Sequence, residues 1–138
     1  MNGIRLVRAA GLLLVAACQG NSGPVATTAV AGTVTVDGKP RVVVECEPHY
    51  FDGVELRLHL DSDDLITITD GTFAGLYFGH RLRGDKLACS DHTSATESGG
   101  STSGEGWMHG TIAYTCKNAE HAVALSLKLT CGSAPAAK

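Results

Sequence analysis

Strict alternation of apolar and polar side chains in two segments restricts the fold of this chain more than any other feature of its sequence. Between residues 54 and 61, valine and leucine alternate with charged residues and histidine, and residues 123–131 show a similar alternation. A period of two predicts strands with one buried and one solvated face. After residue 17, apolar residues do not recur at intervals of three and four, so no helix is predicted there.

Turn-forming residues separate further apolar runs at intervals of about ten residues. Asp37-Gly38 lies between two valine-rich runs, and Asp70-Gly71 follows the run 65–69. The Asp-Gly pair favours a tight hairpin because both residues tolerate a positive φ. The sequence therefore predicts one all-β domain over residues 32–132, a small antiparallel β-sandwich or barrel of about six to eight strands.

Three segments lack the pattern of a folded core. Residues 18–31 are small and uncharged, which predicts a flexible tether, and residues 133–138 are interpreted as a disordered tail. Residues 93–106 are rich in serine, threonine and glycine, which predicts an exposed loop without a core residue. Trp107, the only tryptophan, follows this loop directly.

The first seventeen residues have the organisation of an export signal. Arg5 and Arg8 precede an uncharged apolar run over residues 9–17 that ends in small side chains. Nine apolar residues rise about 14 Å as a helix, whereas a bilayer core of about 30 Å needs about twenty. The run therefore predicts a cleaved signal peptide over residues 1–17 rather than a membrane-spanning helix.

Val15-Ala16-Ala17-Cys18 resembles the lipobox of bacterial lipoproteins, in which the cysteine sulfur accepts a diacylglycerol before the chain is cut ahead of it. The resemblance implies an extracytoplasmic protein that acyl chains such as palmitate on Cys18 anchor to the cell membrane or outer membrane. A stable membrane anchor needs two or more acyl chains, since each buried methylene contributes only about 0.8 kcal/mol. An ordinary signal peptide with an incidental cysteine is the alternative.

Four further cysteines agree with export: Cys46, Cys89, Cys116 and Cys131. An even number in a small exported domain predicts two disulfides, with three possible connectivities. A metal site is the competing interpretation. The chain has no Cys-x-x-Cys pair, and its closest two of these thiols are fifteen residues apart, so a zinc ribbon is not favoured.

The charge of the exported part excludes one class of partner. Residues 18–138 contain all fourteen acidic residues and nine of the eleven basic ones, a net charge of −5. Binding to nucleic acid, or to anionic lipid by charge alone, needs a basic face. The composition therefore predicts that the protein does not bind nucleic acid.

Two parts of the chain resemble the mycobacterial nineteen-kilodalton lipoprotein antigen family. The matching stretches are Val34-Thr35-Val36-Asp37-Gly38-Lys39, Val42-Val43-Val44-Glu45-Cys46, Gly110-Thr111 and Leu127-Lys128-Leu129-Thr130-Cys131. The middle of the chain does not match, and Cys89 and Cys116 are additional to the family's cysteine pair. The resemblance implies a Cys46–Cys131 disulfide and a surface-exposed antigen or adhesin-like role without enzymatic activity.

The positions of the cysteines favour the pairing that the resemblance implies. Cys46 follows the first hairpin and Cys131 closes the last strand, and the first and last strands of small sandwiches often lie together. Cys89 is then left to pair with Cys116, in a bond that would close the segment 93–106. The other two connectivities remain open at this point.

The histidines and an acidic stretch are the candidate metal ligands. No two of the six histidines are two, three or four residues apart, so no metal site and no cofactor are predicted. The histidines are His49, His59, His80, His92, His109 and His121. Asp61-Ser62-Asp63-Asp64 begins like a calcium loop but lacks the glycine and the final acidic residue of one, which predicts a charged turn.

No motif of an enzyme is present, and a binding surface is the remaining candidate. The chain has no Gly-x-Ser-x-Gly or His-Glu-x-x-His sequence, and its cysteines are already assigned, so we predict no enzymatic activity. Arg83-Gly84-Asp85 spells an integrin-binding tripeptide, which also recurs by chance. Trp107 beside the predicted loop is either a binding anchor or a plug for the end of the domain.

The candidate binding surface therefore consists of Arg83, Asp85 and Trp107. The preferred function is a membrane-anchored surface or envelope module that binds a protein or glycan or acts as an antigen. The alternative is a carrier of lipid or of a small apolar ligand. Aromatic residues make up only 5% of the chain, which favours a filled core over a carrier's cavity.

Overall fold

The computed structural model of the protein describes residues 28–71, 74–80, 84–101 and 103–133. These residues form nine strands and the connections between them. The strands are β1 (Thr28–Val36), β2 (Lys39–Arg41), β3 (Val43–Phe51), β4 (Gly53–Leu60), β5 (Asp64–Thr69), β6 (Gly75–His80), β7 (Asp85–Gly100), β8 (Gly106–Lys117) and β9 (Ala122–Cys131). In this part of the chain, no helix has the length and apolar character needed to cross a membrane.

The nine strands form one antiparallel sheet that curls into a nearly closed barrel. Their order is β2-β1-β9-β8-β7-β6-β5-β4-β3, so the strands from β3 to β9 follow one another as a meander and the β1–β2 hairpin joins at β9. The all-β prediction is confirmed. The strand count exceeds the predicted six to eight, because the three-residue β2 has no apolar alternation of its own and half of β7 lies in a segment interpreted as a loop.

The alternating segments form the strands that line the core. In β4 the four alternate residues Val54, Leu56, Leu58 and Leu60 are each at most 2% exposed, and in β9 every second residue is buried. Full burial of a leucine side chain stabilises the fold by about 1.5–3 kcal/mol. These two strands therefore contribute a large share of the hydrophobic stabilisation, and both were predicted from their period of two.

The first hairpin is also as predicted. Asp37 and Gly38 connect β1 to β2 with φ values of 53° and 79°, the two positive angles that a tight two-residue turn requires. The Asp37 carboxylate accepts a hydrogen bond from the N–H of Ala122 (2.8 Å) and contacts the His121 ring (3.0 Å). One side chain thus joins the β1–β2 turn to the start of β9.

The end strand β3 closes the barrel against the tip of the β7–β8 hairpin. The N–H of Tyr50 donates to the carbonyl oxygen of Gly104 (3.0 Å), and His49 pairs with Glu105 in an isolated bridge. A Cβ atom at Gly106 would lie 2.9 Å from the carbonyl carbon of His49. The glycine is therefore needed for the two backbones to approach this closely.

The folded domain begins earlier than predicted. β1 starts at Thr28, inside the predicted tether 18–31, and Val30 lies opposite Leu129 on β9. The small, uncharged composition of this stretch concealed its pairing, which depends on β9 rather than on a local pattern. The predicted signal peptide, Cys18 and residues 134–138 of the predicted tail lie outside the described residues.

The prediction of a loop over residues 93–106 is wrong. β7 continues to Gly100 and β8 begins at Gly106, with continuous pairing from Asp91↔Thr115 to Gly100↔Gly106. The expectation that this segment provides no core residue agrees with the structure, since none of its described side chains is buried. The strand was missed because nearly all of its side chains are exposed, which removes the apolar period from its sequence.

Candidate binding groove

The sheet opens where β7 separates from β6. The two strands pair only at Leu76↔Leu87, Tyr77↔Lys86 and Phe78↔Asp85. From Ala88 to Gly100, β8 is the only strand among the described residues that pairs with β7. Within the described ranges, one edge of β7 therefore has no partner strand over these thirteen residues, and only its end at Gly100 is packed by Tyr50 of β3.

The side chains of β7 explain the separation. On the face that β8 turns toward the core, Met108 and Ile112 are buried, and their partners on β7 are Ser98 and Ser94. These serines have no apolar surface whose burial would hold β7 against the other half of the barrel. The edge consequently stays open, and a groove runs beside it.

The groove combines an aromatic wall with one acidic and one basic side chain. Thr69, Asp70 and Gly75 line it from the β5–β6 side, and Lys86, His92 and Tyr114 line it from β7 and β8. The rings of His92 and Tyr114 stack with their centroids 5.2 Å apart. Burial raises the pKa of the Tyr114 phenol, and the charge of Asp70 raises it further.

Asp70 and Lys86 each contact a neighbouring strand. The Asp70 carboxylate accepts a hydrogen bond from the N–H of Val54 (2.6 Å). A Cβ atom at Gly75 would lie 2.6 Å from Cε of Lys86, so the lysine side chain passes directly over this glycine. Such a groove can offer an extended ligand hydrogen bonds from a strand edge, a stacking surface and two opposite charges.

A second cluster of polar side chains lies on the outer face of β3 and β4. Glu45 and Glu47 come from β3, and His59 of β4 lies directly opposite Glu45. One oxygen or nitrogen atom from each of these three residues lies within 4.8 Å of the other two. Burial would raise the pKa of Glu47, but hydrogen bonds from His59 and His49 outweigh it and hold that pKa below its usual value. Among the described residues, these are the ones whose donor atoms are arranged for a metal ion.

The two predicted binding residues that the structure describes, Asp85 and Trp107, lie far apart in the sheet. Trp107 is half-buried at the start of β8, edge-on to His109 with 5.3 Å between ring centroids, and lies opposite Gly99 of β7. Asp85 is exposed at the other end of β7, about 45 Å away along the strand at 3.3 Å per residue. Arg83 lies outside the described residues. Whether these residues bind a ligand stays a prediction.

The four cysteines of the domain form two disulfides. Cys46 bonds to Cys131 and Cys89 bonds to Cys116, which agrees with the predicted pairing. The first bond joins β3 to β9, and the second joins neighbouring positions of β7 and β8. Neither pair leaves a thiol for nucleophilic chemistry.

The acidic turn has a cationic partner from this chain. Arg41 contacts the carboxylates of Asp61 (2.9 Å) and Asp64 (3.1 Å). The guanidinium group holds the pKa of the Asp61 carboxyl below its usual value. This ion pair connects β2 with the β4–β5 turn, in line with the interpretation of residues 61–64 as a charged turn.

Sequence reasoning missed both the groove and the outer-face cluster. Glu45, Glu47 and His49 do stand at every second position of a strand, a spacing that places three ligand-type side chains on one face. That signal is present in the sequence, but spacings between histidines, spacings between cysteines and the acidic stretch 61–64 do not include it. The groove has no comparable signal, because it results from strands that do not pair.

Comparison with known proteins gives no relative for this chain. No protein-family model matches it, and no curated protein or solved structure shows significant similarity to it.

Proposed function

We propose that the protein is a membrane-anchored extracytoplasmic lipoprotein whose β domain is a non-catalytic binding module. The lipobox-like Val15-Ala16-Ala17-Cys18 supports the anchor, and the two disulfides suit an oxidising compartment outside the cytoplasm. The Cys46–Cys131 bond is also the one that the mycobacterial lipoprotein antigen family implies. Membership of that family stays a prediction.

The start of β1 limits how far the domain can stand from the membrane. Thr28 is the tenth residue after Cys18. A fully extended chain spans at most about 3.3–3.6 Å per residue, so this connection reaches about 35 Å. The module therefore acts close to the bilayer that holds it.

The open edge of β7 is the observation that carries the binding proposal. Extended segments of partner proteins often bind by adding a strand to such an edge, with backbone hydrogen bonds for affinity and adjacent pockets for specificity. The groove beside β7 provides such pockets. Asp91 and Glu97 on β7, and its irregular pairing after Cys89, are features that discourage self-association of sheet edges. We therefore propose an extended segment of a protein as the ligand.

The carrier of lipid or of a small apolar ligand is the second candidate. The apolar surface beside Tyr114 favours it, because a small molecule could stack there. The interior of the barrel does not favour a carrier, since the inward side chains of both halves pack into one cluster of buried residues. A carrier would therefore have to use the groove.

The anchor is tested by Cys18→Ala. Without the acceptor thiol, we expect an uncleaved or soluble product that no longer partitions into the detergent phase, whereas the parent chain does. A cleaved variant that remains with membranes at high salt would contradict the lipoprotein proposal.

The binding proposal is tested by photo-crosslinking in native membranes. p-Benzoylphenylalanine replaces Ser94, which lines the groove, or Lys128, a control on the exposed face of β9. We expect a discrete protein adduct from position 94 and none from position 128. Equal adducts from both positions, or none from either, would contradict a protein ligand in the groove. A bound small molecule in native mass spectrometry that is lost in Tyr114→Ala would identify a carrier instead.

A further inference from the structure

The geometry points to a binding site for a divalent transition-metal ion such as Zn²⁺, formed by Glu45, Glu47 and His59, with His49 beside it. Three of these residues occupy alternate positions of β3 and share its outer face. β3 and β4 are irregularly paired between Val43 and Glu45, and this irregularity brings Glu45 opposite His59. The site is independent of the groove at β7 and of the membrane anchor.

The donor atoms converge on the carboxylate of Glu47. Its two oxygens are approached by different histidines: His59 Nε2 bonds to Oε1, and His49 Nε2 lies 3.2 Å from Oε2. His59 Nε2 is also 3.9 Å from Oε1 of Glu45. Ligands about 2.0–2.2 Å from a tetrahedral Zn²⁺ are about 3.4 Å from one another. Small rotations of these half-exposed side chains would therefore suffice to enclose an ion.

The charge of the cluster favours a cation. Glu45 and Glu47 contribute two carboxylates, and no lysine or arginine within the described ranges forms an ion pair with either. Arg57 lies opposite Glu47 in register, but its guanidinium bonds to Glu55 at 2.7 Å. A divalent ion would neutralise the negative charge that this arrangement leaves on β3.

The kind of donor selects the kind of ion. Imidazole nitrogen with carboxylate oxygen suits Zn²⁺, Cu²⁺ or Ni²⁺, whereas Ca²⁺ and Mg²⁺ prefer sites made of oxygen alone.

The backbone beneath the candidate ligands is held in place by a disulfide. Cys46 lies between the two glutamates, faces the core and is bonded to Cys131 on β9. This covalent link limits the movement of the strand that provides three of the four candidate ligands.

The test is a titration of the purified, untagged full chain, stripped of metal, with ZnCl₂ by isothermal calorimetry. We expect one saturable Zn²⁺ per chain, and a loss of affinity of more than about tenfold in His59→Gln and in Glu47→Gln. His80→Gln is the matched control, because His80 also lies near carboxylates, 3.8 Å from Asp64, but outside the cluster. Its affinity should equal that of the parent chain.

A second measurement separates a lost ligand from a lost fold. Thermal unfolding of each variant without metal shows whether it is folded, and the histidine ring signals in NMR spectra report which rings take up Zn²⁺. The proposal requires shifts of His59 and His49 that are absent for His80. Absence of saturable binding by the folded parent, unchanged affinity in folded His59→Gln, or an equal loss in His80→Gln would each overturn it. If the two glutamine variants do not fold, the ring shifts of the parent chain decide alone.

Discussion

Asp37 combines a backbone requirement and an electrostatic contact in one residue. Its positive φ suits aspartate better than most side chains, and its carboxylate bonds to the N–H of Ala122 and to His121. The hydrogen bond from His121, followed by that from Ala122, holds the pKa of Asp37 below its usual value. A lowered pKa in the folded state means that this contact stabilises the protein only while the carboxylate is charged.

Asp37→Asn tests this contact, because asparagine also tolerates the positive φ but carries no charge. The carboxylate's contribution is complete above the unfolded pKa of about 3.9 and is lost as the pH falls through the lower folded value. We therefore expect the variant to be less stable than the parent chain at pH 6, with a difference that shrinks below about pH 4. Urea unfolding at a series of pH values measures it. A difference that stays constant from pH 6 to pH 2 would show that the charge contributes nothing.

At the scale of single elements, the sequence predicted the strands whose burial alternates. β4, β9 and the Asp37-Gly38 turn each contain their own signal: a period of two, or two residues that accept a positive φ. The part of β7 after Leu87 contains none, since it pairs with β8 along nearly its whole length while none of its side chains is buried. Its existence depends on β8, and a single-sequence pattern does not record a partner strand.

The outer-face cluster illustrates a different limit of sequence reasoning. The alternate spacing of Glu45, Glu47 and His49 is readable in the sequence, but the approach of His59 is not. It depends on the register of β3 against β4, and one extra residue at Val44 changes that register. A shift of one residue would place His59 opposite a different side chain and separate the donor atoms.

At the scale of the whole molecule, the two disulfides differ in what they join. Cys46–Cys131 links strands 85 residues apart in sequence and both of its cysteines are buried, whereas Cys89–Cys116 spans 27 residues and Cys89 is exposed. The chain-entropy estimate gives about 4.5 kcal/mol for the first bond and about 3.5 kcal/mol for the second. Burial adds to this difference, since alanine at two core positions also leaves unfilled volume.

We therefore expect Cys46→Ala/Cys131→Ala to destabilise the domain more than Cys89→Ala/Cys116→Ala. Because small domains are stable by only about 5–15 kcal/mol, the first double variant should unfold at a much lower urea concentration. Equilibrium unfolding of both variants beside the parent chain provides the comparison. An equal or larger effect from the Cys89/Cys116 pair would show that the bond between β3 and β9 is not the main covalent support of the barrel.

The place where β1 begins has a mechanical consequence. Thr28 lies directly opposite Cys131, the residue that fastens β9 to β3. With Cys18 held in a membrane, tension on the domain would enter at Thr28 and reach β9 through the nine β1–β9 residue pairs. The end of β9 nearest the load cannot separate from β3, because the Cys46–Cys131 bond secures it there. A lipid anchor would thus apply force beside a covalent link between two strands of the barrel.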